Sequence, residues 1–144
     1  MRPGRRIAFD YGQVRIGVAL SDASGLIATP IATLLAQSED LREELSKIFT
    51  EYEPIYIVIG QPRHLSGAQS ATMESVNQFA ELIASISQAP IHFVDERLST
   101  VFAARTLRAS GKNAKEAKSL IDAMAAVSIL ESALERERIA GHVS

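Results

Sequence analysis

The spacing of apolar residues changes period along the chain. Residues 5–11, 14–21 and about 25–34 are rich in Ile, Val, Leu and Thr and are broken by Gly12 and Gly25, which predicts three strands. Their short connections imply an antiparallel meander. At about 39–52 the pattern becomes helical, with Leu41, Leu45, Ile48, Phe49 and Tyr52 on one stripe and Pro54 as the stop. IYIVIG (55–60) is a continuous β-branched run, as expected of a strand buried on both faces. A second helical stripe, Met73, Val76, Ala80 and Ile83, predicts a helix over about 68–87. Pro90 breaks it, and IHFVD (91–95) reads as another buried strand. Two helical stretches follow, a short one near 99–109 and, after Gly111, a long one at about 114–137.

The predicted order is β-β-β-α-β-α-β-α in one domain spanning 1–144. A meander followed by βαβ crossovers gives an α/β fold, a mixed five-stranded sheet with helices on both faces. The two crossover strands should lie parallel to the first, near the centre. Ligands in such sheets bind beyond the carboxyl ends of the parallel strands. Asp10, Gly60 and Asp95-Glu96 occupy those ends, so all three should open into one crevice.

Composition narrows the chemistry. The chain has no cysteine, which removes disulfides and thiolate metal sites. No apolar signal core follows the basic start, and no run is long enough to span a membrane; a cytoplasmic soluble protein is expected. The net charge of −2 is no argument for nucleic-acid binding, but the charges are segregated. Residues 39–53 are mostly acidic, whereas 97–118 carry Arg97, Arg105, Arg108, Lys112, Lys115 and Lys118 against Glu116 alone. One basic face on a near-neutral protein fits those charges, as do two solvated helices of opposite sign.

The carboxylates carry the candidate chemistry. Asp10 ends an apolar strand; its bland role would be a turn, bonding the N–H two residues on. Of Asp95 and Glu96, alternation sends one to each face, and spacing does not choose between them. Asp122 lies in KSLIDAMAAVSIL, on a stripe with Ala126, Ile129 and Ala133. An unpaired buried carboxylate there costs several kcal/mol, roughly. Ser119-x-x-Asp122 is one escape, as a capping box at a helix start; a cation, from Arg97 or a metal, is the other. Acids from three separate elements suggest a divalent-cation site of the Mg²⁺ type, completed by water and phosphate. Two such ions about 4 Å apart activate water and stabilise the leaving oxygen of a phosphodiester. Gly12 and Gly17 would leave room at the crevice, and Arg15 would face phosphate.

These segments resemble the YqgF family of RNase H-like nucleases, described as pre-16S rRNA nucleases or Holliday junction resolvase-like proteins. FDYGQVRIGVALSD, GLIATPI, IVIGQPRHLSG, VDERLST and LIDAMAAVSIL follow the family's motifs in order along nearly the whole chain. The resemblance implies an RNase H-like fold and Asp10, Glu96 and Asp122 as catalytic, metal-binding acids; it is the resemblance that selects Glu96. It gives Arg97 and Ser99 or Thr100 supporting roles. Gln13-Val14 stand where the family often has Thr-Lys, Phe102 where an acid is common, and the lysines before the last aspartate are spread out. These departures thin the cations expected to hold substrate.

The reading is a nuclease using Mg²⁺ or Mn²⁺, with Arg15, Arg63, Arg97, Lys112, Lys115 and Lys118 holding phosphates without reading sequence. Its substrate would be structured RNA, by family at the 5′ end of pre-16S rRNA, or branched DNA, whose two-fold junctions call for a dimer. His64 reads as a surface histidine or a water-orienting one, and Tyr11 and Tyr56 as packing or base-stacking rings. Two rivals are a nucleic-acid-binding module with lost activity and a sugar-kinase-like ATP fold; the second pairs two such domains and needs a longer chain.

Overall fold

The computed structural model describes residues 2–61, 67–95 and 114–143, with side chains at 2–61, 73–94 and 123–143. Its elements are β1 (Arg6–Tyr11), β2 (Arg15–Ser21), β3 (Ala28–Leu35), α1 (Leu41–Tyr52), β4 (Tyr56–Gln61), α2 (Gly67–Ile86), β5 (Ile91–Asp95) and α3 (Ala114–Ala140). The short helix expected near 99–109 lies outside the described residues.

The strands form one sheet in the order β3-β2-β1-β4-β5, with β1–β2 and β2–β3 antiparallel and β1–β4 and β4–β5 parallel. The expected meander and parallel crossovers are therefore present. One expectation is corrected. Of the two crossover strands only β4 lies inside the sheet, beside the central β1; β5 is an edge strand, so Phe93 is 39 % exposed and IHFVD is not buried on both faces. β3, the other edge, tolerates Pro30 and a register shift against β2 between Val18 and Ala19, where a missing N–H breaks no inner ladder.

Alternation along β1 divides the core. Ile7 and Phe9 join Ile16, Val18, Ile57 and Ile59 on one face, covered by α1 through Leu45 and Phe49 and by α2 through Val76, Phe79 and Ile83. Phe9 meets Phe49 and Phe79 edge-on at 6.1 and 5.3 Å, tying both helices to β1. Ala8, Ala19, Val58 and Val94 form the other face with Ala126, Ile129, Leu130 and Ala133 of α3. The small residues on both sides let α3 lie close over β1 and β2.

Local chemistry sets the boundaries. The strand expected from residue 25 begins at Ala28, because Asp22 Oδ1 accepts the N–H groups of Leu26 (2.8 Å) and Ile27 (3.2 Å) and holds 22–27 as a turn. Those bonds keep the Asp22 carboxyl below its ordinary pKa. α1 ends when Glu53 turns left-handed (φ 44°) and donates to the Phe49 carbonyl at 2.9 Å, with Pro54 following. α3 runs past the expected 137 to Ala140, where Gly141 (φ 82°) donates to the Glu137 carbonyl at 2.8 Å.

A buried polar cluster pins the far end of α3. The Arg6 side chain is fully buried, and its Nη2 donates to Glu137 Oε2 at 2.9 Å. Tyr56 Oη donates to Glu137 Oε1 at 2.8 Å, and the Arg6 guanidinium lies 5.6 Å from the Tyr56 ring centroid. Arg6 Nη2 and Nη1 also reach the carbonyls of Arg2 and Gly4. Burial pushes the Glu137 carboxyl up, but the hydrogen bonds from Arg6 and Tyr56 and the Arg6 charge outweigh it and hold it below its ordinary pKa. Burial first, then the Glu137 hydrogen bond and charge, push the Tyr56 hydroxyl above its own. Tyr56 is therefore a packing residue, unable to stack on a base.

Candidate active site

Asp10 stands near the carboxyl end of β1, half-buried and on the same alternating set as Ala8, the set covered by α3. A turn-forming role is not needed there. The N–H two residues on, that of Gly12, donates to the Arg15 carbonyl at 2.9 Å, so the hairpin is closed by backbone. That bond also explains Gly12: a Cβ at this position would come within 2.6 Å of the Arg15 oxygen. The glycine expected to make room at the crevice instead closes the β1–β2 turn.

Gly17 lies beside Asp10 on the neighbouring strand. It pairs directly with Asp10 across β1–β2, and directly paired residues share a face. On the other side, Phe9 pairs with Ile59 in the parallel ladder, so the next step of the register sets Gly60 beside Asp10. Gly60 in turn pairs with Val94. One row across the sheet thus reads Thr33, Gly17, Asp10, Gly60, Val94, with a carboxylate between two residues that have no side chain. The sequence placed Gly60 at the strand end that shares a crevice with Asp10; the parallel register adds that the two stand side by side.

Asp122 lies in the body of α3, two turns past its start at Ala114. Ser119 is therefore interior to a helix, and the capping-box role for Ser119 and Asp122 is excluded. Position 122 falls one turn before Ala126 on the stripe that continues through Ile129 and Ala133, all three in the core against the sheet. Ala123 and Ala125 are buried as well.

The other predicted site residues divide by location. Arg15 opens β2 at the hairpin, half-buried and engaged with neighbours. Lys115 and Lys118 lie in the first turns of α3; their side chains, like those of Asp95 and Asp122, lie outside the described residues. Glu96, Arg97, Ser99, Thr100, Lys112, Arg63 and His64 lie outside them altogether. Among the described residues no group of three or more His, Cys, Asp or Glu side chains gathers. Tyr11, next to Asp10 but on the opposite face, is half-buried, its ring tilted 37° against Phe79 at 5.0 Å.

Comparison with known proteins bears on the whole chain. The family model described as RuvX, Holliday junction resolvase, matches residues 4–136. A candidate pre-16S rRNA nuclease of Streptomyces coelicolor is 45 % identical over 143 residues, covering 98 % of this chain and 86 % of that protein. Another so named, from Clavibacter michiganensis, is 46 % identical over 144 residues, covering 98 % and 89 %. Among solved structures, Thermus thermophilus RuvC in complex with a Holliday junction substrate superposes with a TM-score of 0.63 at 12 % identity, over 96 % of this chain and 98 % of that one. The fowlpox virus Holliday junction resolvase gives 0.54 at 12 % identity, over 91 % and 98 %. The structural likenesses establish an RNase H-like, resolvase-type fold, in agreement with the sheet order and crossovers above. Matched along nearly all of its length by the model and by curated relatives alike, the chain belongs to the RuvX (YqgF) family and is a nuclease, a hydrolase of nucleic-acid ester bonds.

Proposed function

We propose that Asp10, Glu96 and Asp122 hold Mg²⁺ or Mn²⁺ and that the chain cleaves precursor 16S rRNA near its 5′ end, in the cytoplasm. The observation that carries this reading is the row Gly17, Asp10, Gly60 beneath the helix that bears Asp122. The flanking glycines put no side chain of their own beside the carboxylate, which suits the approach of an ion and a phosphate oxygen. The donor set fits a hard cation, since all three ligands are carboxylates and the chain has no thiol to favour a softer metal.

A divalent ion bound there would act as a Lewis acid on the phosphate and lower the pKa of the attacking water. The protein's own part is positional. β1, inside the sheet, holds Asp10 rigidly, and α3 carries Asp122 on a helix anchored at its other end by Arg6, Tyr56 and Glu137. Arg15, Arg63, Arg97, Lys112, Lys115 and Lys118, with support from Ser99 and Thr100, hold the strand by its phosphates. Each such contact steepens the fall of affinity with salt.

The names of the curated relatives favour RNA, and the description of the family model favours a second reading, cleavage of a four-way DNA junction. One assay separates them. Purified protein is given precursor 16S rRNA and, separately, an immobile four-way junction, each with Mn²⁺ or Mg²⁺ and with EDTA. The expected result is metal-dependent cleavage of the RNA, lost in Asp10→Asn. Cleavage of the junction alone would transfer the assignment to DNA. Cleavage of neither, with no rise in Tm on adding metal, would leave a binding module and end the nuclease mechanism proposed for these acids.

A further inference from the structure

On the other side of β1 from Asp10 lies a surface cavity of about 230 Å³, lined by Tyr11, Gln37, Ser75, Gln78, Phe79 and Leu82 among others. None of its lining residues among the described ones is charged. Its apolar lining comes from Ala36, Leu41, Phe79 and Leu82, and its polar groups are the hydroxyls of Tyr11 and Ser75 and the carboxamides of Gln37 and Gln78. Gln37 and Gln78 are exposed, while Phe79 is buried and backs the Tyr11 ring. Gln37 Nε2 makes a long contact, 3.4 Å, with the Gln13 carbonyl, which leads it toward the β1–β2 hairpin.

This chemistry selects among ligands. A phosphate or a carboxylate would need a cation, and the described lining residues supply none. The volume is below the roughly 300–1,000 Å³ usual for drug-sized ligands. A rigid aromatic wall with neutral groups that both donate and accept suits a planar heterocycle with a mixed hydrogen-bonding edge. Asp10 and Tyr11 are adjacent in β1, about 3.8 Å apart at Cα, and a strand sends consecutive side chains to opposite faces. A strand of nucleic acid crossing the carboxyl edge of the sheet therefore meets the acid on one side and this cavity on the other.

We propose that the cavity between Tyr11, Gln37, Ser75 and Gln78 is a subsite for one unpaired nucleobase, belonging to a nucleotide close to the phosphate held at Asp10. It rests on the nuclease reading only for the phosphate at Asp10. The base is splayed out of the strand, packs on the Tyr11 ring and is read along its edge by the carboxamides, the manner in which single-stranded RNA is distinguished from duplex. This subsite would give the phosphate-holding cations the base selectivity they lack, and would direct cutting to unpaired segments.

The test is binding, so it does not depend on turnover. The probe is a set of short single-stranded RNAs of one sequence, labelled for fluorescence anisotropy, each with one abasic position, in buffer with Ca²⁺. Stacking of one base is worth enough to expect about a 10-fold loss of affinity at one abasic position with the wild-type protein. Gln78→Ala and Tyr11→Leu should each weaken binding of the intact RNA by several fold. Tyr11→Leu should also shrink the abasic effect at that position to under about 2-fold, because the stacking contact is already gone, and Gln78→Ala should shrink it in part, because only the edge contact is lost. Gln78 is exposed on α2, so its variant keeps the fold even if the Tyr11 variant does not. A flat abasic profile, or one unchanged by both variants, overturns the subsite. Cleavage by the wild-type protein with a flat profile would sink the subsite alone; a peaked profile without cleavage in Mn²⁺ would sink the nuclease mechanism alone.

Discussion

Removing the negative charge of Glu137 leaves Arg6 buried with its main counter-ion gone. Arg6 is 0 % exposed and Glu137 7 % exposed, and the buried Arg6 Nε has no partner among the described residues. In Glu137→Gln one of the two oxygens becomes an N–H₂ donor, so either Arg6 or Tyr56 loses the acceptor it now faces. Breaking one side of a buried ion pair costs about 3–5 kcal/mol. The carbonyls of Arg2 and Gly4 still receive the guanidinium, so the lower end, about 3 kcal/mol, applies. At roughly 3 °C per kcal/mol for a chain of this size, Tm falls by about 9 °C. The variant should also change the acid limb. The folded carboxyl is held below the unfolded value of about 4.3, so its contribution is complete above that pH and is lost as pH falls through the folded pKa. Thermal melts from about pH 3 to 8 should therefore show the wild-type protein losing more stability in acid than Glu137→Gln does. A Tm lowered by less than about 3 °C at neutral pH, or parallel acid limbs, would refute the view that this pair holds α3.

Asp10→Asn should abolish metal-dependent cleavage with Tm in EDTA held or slightly raised, while Mn²⁺ raises the Tm of the wild-type protein only; normal cleavage by the variant removes Asp10 from the mechanism. Gly12→Ala should cost more than about 1 kcal/mol, because its Cβ meets the Arg15 carbonyl oxygen at 2.6 Å and backbone must move; a denaturant midpoint equal to wild type contradicts that. In alkali, the raised folded pKa of Tyr56 means stability is complete below the unfolded value of about 10 and is lost as pH rises through the folded one. Tyr56→Phe should flatten this alkaline loss in melts above pH 10, and an unchanged slope would assign it to another group.

The two polar groups that matter most in the fold were the least visible in the chain. Arg6 sits in RRIAFD among basic residues that suggest a solvated start, and Glu137 in LERERIA resembles any charged helix end. A weak signal existed: Glu137 continues the buried run Leu130 and Leu134 at helical spacing, and Arg6 alternates with Ala8. Nothing in either segment says that the two meet, 131 residues apart.

By itself the sequence determined the kinds and order of the elements, because period and breakers are local properties: a meander broken at Gly12, β-branched runs, helices stopped by Pro54 and Pro90. It also determined that Asp10 lies near the carboxyl end of a strand and that Asp122 shares a stripe with Ala126 and Ile129. Tertiary structure decided which strand lies at an edge, and so exposed Phe93. It decided that Gly12 closes the β1–β2 turn against the Arg15 carbonyl, and that Tyr11 and not Tyr56 reaches the surface. These are matters of register and layer, fixed by the summed burial of both faces of the sheet, and no local window of residues contains that sum.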